Sequence, residues 1–368
     1  LTFAVGCDIM LSMNEWAIIS DLHIGVHRSD SKYLQWTLDY VNFLVEKMKE
    51  RESNTLFILG DVFHNRKEVS TIAIETAKKF FGVLRENGIS VEVIPGNHDC
   101  YYDANTNATS LALLSGWWNV HVHYEPYEYA FNGDFDKILL VPWGADLSSF
   151  RSGKYKAVMG HFEITSFNMT SAQVCENGMA SDELFRLAPL VFSGHFHLRC
   201  DRKYANGRRI IYVGSPYELD WGDYGSTKGI YFYDPEKAKI DFVENTFSPK
   251  HVKLQYDPAI ANDKAKLAEF KDRLKEVNGN IVKLVSDDSA NLKQKDLQKI
   301  IEIVTKLAPG EFTCDLKSSG EDGEKVELEI SNNLDPKDAL IAYVDATCKR
   351  DVDEIKKILI ELYNNTKH

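Results

Sequence analysis

Five short apolar runs in the first two hundred residues each end in Asp, Asn or His, and this repetition constrains the fold more than any other feature of the chain. WAIIS leads into Asp21-Leu22-His23, TLFILG into Asp61, VEVIPG into Asn97-His98-Asp99, YKAVMG into His161, and LVFSG into His195-Phe196-His197. Each run is five or six residues long and rich in Val, Ile, Leu or Phe. Continuous apolar runs suit strands buried on both faces. Between the first of them, residues 32–51 and 70–87 carry apolar side chains at helical spacing. Alternating strand and helix predicts an α/β fold. In such a sheet, polar residues at the ends of buried strands converge on one crevice.

From about residue 120 to 250 the pattern turns more β-like. VHVHYEPYEYAF, KILLVPW, RRIIYVG and GIYFYD read as strands separated by turn residues, which predicts a second sheet stacked on the first. Ser248-Pro249 marks a break. Beyond it come a strand HVKLQY, a helix over 262–277, a strand NIVKLVS, a helix over 293–307 and strands EFTCDL and KVELEIS, the pattern of a small α+β domain. From 335 the chain reads as two helices, opened by Asp335-Pro336 and by Asp351 with Glu354. The expected divisions are an ill-defined extension (1–15), an α/β domain whose second sheet stacks on the first (16–249), a small α+β domain (250–332) and a helical tail (333–368).

Length and composition set outer bounds. A chain of 368 residues suggests two or three domains. At 44% hydrophobic and 27% charged it is neither disordered nor collagen-like. No apolar stretch approaches the ~18 residues of a membrane span. With 43 Lys and Arg against 55 Asp and Glu, the net charge of −12 argues against coating nucleic acid by bulk electrostatics. It leaves room for an enzyme whose active site carries its own positive charge. The six cysteines form no C-x-x-C pair, so they read as reduced thiols. The N-terminal stretch is a poor signal peptide, and a cytoplasmic location is expected. The chain begins at Leu1, with Met10 and Met13 as alternative starts.

The strand-end set is Asp21, His23, Asp61, Asn97, His161, His195 and His197. Two carboxylates, four imidazoles and one amide suit two borderline divalent cations such as manganese, iron or zinc. A lone magnesium or calcium site would use mostly oxygen ligands. Two ions ~3.5–4 Å apart need a bridging carboxylate. Asp61 fits best, because Gly60 before it permits close approach.

The order D-x-H, GD, GNHD, GH, GHxH resembles the calcineurin-like metallophosphoesterase superfamily. Gly60-Asp61-Val62-Phe63-His64, the basic loop after Asp21-Leu22-His23-Ile24-Gly25, and YVGSPYELDWGDYGSTKGIYFYD (212–234) are similar to SbcD-type nuclease subunits of DNA double-strand-break repair. Among these, the chain looks closest to the T-even-type phage recombination endonucleases. The likeness covers about 16–250 strongly and the remainder only in layout. It implies two stacked mixed sheets flanked by helices, an α/β/β/α sandwich, with a small α+β capping, DNA-binding domain. It implies that Asp21, His23, Asp61 and His197 hold one metal, and Asp61, Asn97, His161 and His195 the other. It further implies manganese, 3′→5′ digestion of duplex ends, single-strand endonuclease activity, a homodimer through helices near 32–51 or 70–87, and an SbcC-type coiled-coil ABC ATPase bound by the tail. The alternative is a metallophosphatase or nucleotide phosphodiesterase on the same dinuclear site.

His98 and His64 are the candidate non-ligand catalytic residues. His98 would serve the leaving 3′-oxygen, with Asp99 orienting its ring; the resemblance implies that His64 helps to position or polarise the phosphate or the substrate strand. Arg28, Lys32 and Arg66, with His27 and Lys67, are candidate DNA contacts in loops beside the ligands. His121 and His123 share a strand face and read as solvated. Trp117-Trp118 reads as core, and Cys100 as packing.

Overall fold

The computed structural model describes residues 15–102, 108–132, 136–170, 173–255, 260, 263–285, 303–304, 312–316, 326–330, 353, 355–357 and 360. Its contacts divide the chain into two compact units at Ser248/Pro249.

In the first unit, β1 (Trp16–Ile19), β2 (Thr55–Ile58), β3 (Ser90–Val93) and β4 (Val120–Val122) run parallel. The second sheet has β6 (Asp136–Val141), β7 (Ala157–His161), β8 (Leu190–Gly194) and β10 (Arg209–Tyr212) parallel, edged by antiparallel β5 (Tyr127–Asn132) and β9 (Cys200–Lys203). The chain then returns to the first sheet, where β11 (Gly229–Asp234) lies antiparallel beside β1 and β12 (Lys239–Glu244) forms the edge. This is the expected pair of stacked mixed sheets.

Side-chain alternation explains the stacking. Trp16 and Ile18 of β1 and Phe57 of β2 point into one core with Ile138, Leu140, Met159, Phe192 and Ile211 of the second sheet. A second cluster uses the other face of that sheet, where Leu139, Val158, Val191 and Ile210 pack on Phe162, Phe167, Leu184 and Phe185. Fully burying each such side chain contributes about 1.5–3 kcal/mol. The helices Ser31–Glu50 and Thr71–Glu86 match the expected 32–51 and 70–87, and their caps say why they start where they do. Asp30 accepts from the Lys32 N–H and Ser70 from the Ala73 N–H.

Two expectations need correction. The run 120–131 is not one strand: β4 and β5 belong to different sheets, split at Glu125-Pro126, where proline removes a ladder donor. Trp118 is 69% exposed rather than core. Trp117 is half-buried, its ring under the Arg85 guanidinium at 4.8 Å.

In the second unit, β13 (His251–Gln255), β14 (Ile281–Val285), β15 (Phe312–Leu316) and β16 (Val326–Ile330) form a four-stranded sheet. Leu254, Val282 and Leu284 pack on Phe270 and Leu274 of the helix Lys264–Glu276. The extension 1–14 lies outside the described residues. So do the helix expected over 293–307 and the tail over 333–368, save the helical positions 303–304, 353, 355–357 and 360.

Candidate metal centre

All seven strand-end residues lie at the carboxyl ends of parallel strands. Asp21 and His23 follow β1, Asp61 follows β2, Asn97 follows β3, His161 ends β7, and His195 and His197 follow β8. The two sheets bring these ends onto one rim.

The loops are forced into uncommon backbone. Asp21, His23, Asp61 and His195 have positive φ, at 55°, 45°, 54° and 90°. Such conformations cost about 1–3 kcal/mol each and persist where surrounding contacts over-determine them. Those contacts are visible here. The Asp21, His23 and Ile24 N–H groups donate to the Gly60, Asp61 and Val62 carbonyls, so the first two loops run side by side. Gly96 has no alternative residue, since a methyl group there would collide with the Asp61 carboxylate.

The ligand-type atoms form two groups. Asp21, His23 and His197 offer atoms within 4.8 Å of one another, as do Asp61, His161 and His195. His23 Nε2 and His197 Nε2 are 3.0 Å apart. Asn97 Oδ1 accepts from His161 Nε2 at 3.0 Å and lies 2.9 Å from His195 Nδ1, so the amide belongs to the second group. Asp61 Oδ2 lies 3.5 Å from both His23 Nε2 and His161 Nε2, between the groups. A third group, His23, His64 and His98, adjoins the first.

Electrostatics tests whether cations fit. Burial pushes the Asp21 carboxyl above its ordinary range and the His23 imidazole well below its own. His195 is pushed down to about 3 by burial and by His161. Burial would also neutralise Asp61 and His161, but their mutual attraction outweighs it: Asp61 is lowered and His161 raised to about 9. Thus desolvation suppresses the charges of Asp21 and His23, while the Asp61–His161 pair supplies its own cation. Positive charge arriving at the rim would restore the ionised Asp21 and displace the His161 proton. The donor chemistry fits two borderline divalent ions.

Around this set the structure departs from expectation at Asp99. Its carboxylate does not orient His98. It accepts from the Val62, Phe63 and Gly96 N–H groups at 3.2, 3.0 and 3.0 Å, tying the Asp61 loop to the Asn97 loop. Burial and the nearby Asp61 push it up to about 7. His98 is held otherwise, its Nδ1–H donating to the His64 carbonyl at 2.6 Å and its N–H to Asp61 Oδ1 at 2.8 Å. The His64 ring stacks on His98 at 5.6 Å, and its Nδ1 lies 3.3 Å from His23 Nδ1. Burial and His98 lower the His64 pKa to about 4.

Of the candidate DNA contacts, Arg28 is exposed, and Lys32 and Arg66 are half-buried. Lys32 sits in the first turn of its helix rather than in a loop. His27, Arg28 and Ser29 form a left-handed turn, with φ of 51°, 58° and 63°, and His27 Nε2–H donates to the Leu219 carbonyl. His121 is exposed, as expected, but His123 pairs with buried Glu92 at 2.6 Å. Neither joins the rim.

Three residues at or behind the rim had no assigned role. Trp143, at the end of β6, lies 5.0 Å from the His195 ring and 5.9 Å from His161. It obeys the same strand-end rule as the ligands, which is the signal that could have found it. Asp223 and Lys228 are buried behind His197. A lysine directly before the apolar run GIYFY was the available clue.

A rim of imidazoles and carboxylates over two stacked sheets defines a metal-dependent hydrolase of phosphate esters. The chain belongs to the calcineurin-like phosphoesterase family, whose family model matches residues 16–199, half of its length. It is 26% identical over 329 residues to Exonuclease subunit 1 of Enterobacteria phage T4, covering 86% of this chain and 89% of that protein. It is 29% identical over 118 residues to the DNA double-strand break repair protein Mre11 of Nanoarchaeum equitans, covering 31% of this chain and 32% of that one. Among solved structures, a dimetal phosphatase from Danio rerio aligns with a TM-score of 0.40 at 12% identity, covering 60% of this chain and 92% of its own. No described helix is long and apolar enough to cross a membrane.

Proposed function

We propose that this chain is a manganese-dependent DNA nuclease. It would digest duplex ends 3′→5′ and cut single strands during double-strand-break repair or recombination. The observation that carries the reading is the relation to the phage exonuclease subunit, which runs through both compact units rather than through the phosphoesterase domain alone.

Asp21, His23, Asp61 and His197 hold one ion, and Asp61, Asn97, His161 and His195 the other. Asp61 would be shared between the two ions, since its Oδ2 lies 3.5 Å from both His23 Nε2 and His161 Nε2. Two divalent cations there supply Lewis-acid charge for the phosphate and a water activated at neutral pH. His98 is the acid–base residue. With Nδ1–H committed to the His64 carbonyl, its Nε2 is the nitrogen left to hand a proton to the departing 3′-oxygen. His64 positions the phosphate from beside it. Arg28, Lys32 and Arg66 contact DNA phosphates, local positive charge on a chain of net −12. Residues 250–332 contribute to DNA binding, and the tail 333–368 binds an SbcC-type ATPase. The nuclease acts as a homodimer.

The test is degradation of an end-labelled linear duplex with Mn²⁺, Mg²⁺ or EDTA. Manganese-dependent release of nucleotides, lost in Asp61→Asn, is expected. Absence of cleavage together with brisk phosphomonoester hydrolysis would move the chain to the phosphatase branch. Truncation at 333 should leave that nuclease activity intact and abolish co-purification with the ATPase; retained co-purification would remove the tail from the interface.

A further inference from the structure

His197 is gripped from behind by a buried ion pair. Lys228, 5% exposed, directs its ammonium to three oxygens: the His197 carbonyl at 2.6 Å, Ser215 Oγ at 2.8 Å and Asp223 Oδ1 at 3.0 Å. The other oxygen of Asp223, itself 2% exposed, accepts from the Leu219 N–H at 2.8 Å and lies 3.8 Å from His197 Nδ1. The Ser215 N–H also donates to the His197 carbonyl. One buried pair therefore hydrogen-bonds the main chain of this histidine and sets a carboxylate within ion-pair reach of its rear nitrogen, while its front nitrogen faces His23.

Stability alone is a weak reason for such a pair. A buried Lys–Asp pair loses so much solvation that apolar residues of similar volume usually serve as well or better. A carboxylate behind a metal-binding imidazole has a separate use. It selects the tautomer with the proton on the rear nitrogen and fixes the ring, and losing it typically weakens metal binding 10–100-fold. The neighbouring group does not need this device. His161 Nδ1–H donates to the Leu59 carbonyl at 2.7 Å, a main-chain acceptor fixed by the sheet.

We propose that Asp223 and Lys228 are positioning residues that set the ring and proton of His197 and thereby the affinity for one of the two cations. The segment 214–228 is then a working part of the metal centre. The proposal rests on the dinuclear reading above.

The experiment is calorimetric titration of the full-length, metal-free chain with Mn²⁺. Wild type should take up two ions; fewer than two would overturn the dinuclear reading itself. The double variant Asp223→Leu/Lys228→Met replaces the pair with apolar residues and leaves no buried charge unpaired. It should bind one ion with wild-type affinity and the other 10–100-fold more weakly. Asp223→Asn, which keeps the size of the side chain, should weaken the same ion alone and decides the matter if the double variant does not fold. A second readout is the imidazole nitrogen resonances of the metal-free protein, where His197 should lose its single tautomer in both variants. Two unchanged binding steps, or equal weakening of both, would overturn the proposal.

Discussion

The two groups of ligand-type residues adjoin one another but rest on different supports. The Asp61 group is braced by main chain. The Leu59 carbonyl takes the rear proton of His161, the Val62, Phe63 and Gly96 N–H groups converge on Asp99, and the Asp61 carboxylate faces a protonated His161. In the Asp21 group it is the histidine rings that are braced, and by side chains. His197 leans on Asp223 and Lys228, His23 touches His64 and His197, and Asp21 is buried where desolvation suppresses its charge. Main-chain acceptors inside a sheet are fixed by the fold; side-chain braces can be tuned or lost one residue at a time. One group therefore holds its charges by internal pairing, and in the other desolvation opposes them.

The residue between the groups offers the strongest way to break this contrast. Asp61→Asn should weaken both ions, each by more than the roughly 10–100-fold typical of an outer-shell loss, and abolish phosphodiester hydrolysis. Two ions bound with near-native affinity, measured by the same calorimetry, would show that Asp61 does not bridge. The next effect separates chemistry from binding. His98→Ala should retain both ions and lower turnover by roughly 10²-fold or more, the usual scale for an acid–base group. Turnover unchanged at saturating Mn²⁺ would remove His98 from the mechanism.

Much of the fold and of the ligand set is legible in the sequence, and the limits are physical. Strand ends announce themselves, because a buried parallel strand must be apolar and the first polar residue after it must sit at the rim. That logic locates Asp21, Asp61, Asn97, His161 and His195, and the helical spacing of apolar residues locates the two long helices. Braces made by backbone carry no such mark. The three N–H groups that hold Asp99 belong to residues of three different types, so its carboxylate was assigned to the nearest histidine instead. Asp223 and Lys228 escaped for a related reason. Their partner His197 lies 26 and 31 residues earlier, and only the return of the chain to the first sheet through β11 brings them behind it. Residue type alone points Trp118 into the core, whereas its position after the turn at Gly116 leaves it in solvent.

The smallest expected effect sharpens the contrast without any metal present. Asp21 is fully buried, and its carboxylate accepts from the His195 N–H at 3.1 Å. Asp61 is equally buried but ion-paired with His161. Replacing each by Asn conserves shape and one acceptor oxygen. Asp61→Asn leaves a buried imidazolium without its partner, which should lower the stability of the metal-free protein by about 3–5 kcal/mol. Asp21→Asn instead removes a carboxylate whose burial is opposed by desolvation. It should stabilise the metal-free protein by about 1 kcal/mol, a rise in Tm of roughly 2–4 °C, the usual sign when a functional group held against its preference is removed. The gain should disappear when Mn²⁺ is added, because wild type then recovers the charge it was built to use and the variant does not. Thermal melts of both variants with and without Mn²⁺ decide the point. Equal destabilisation of the metal-free protein by the two substitutions would mean that the groups are alike, and that the difference between their supports has no energetic consequence.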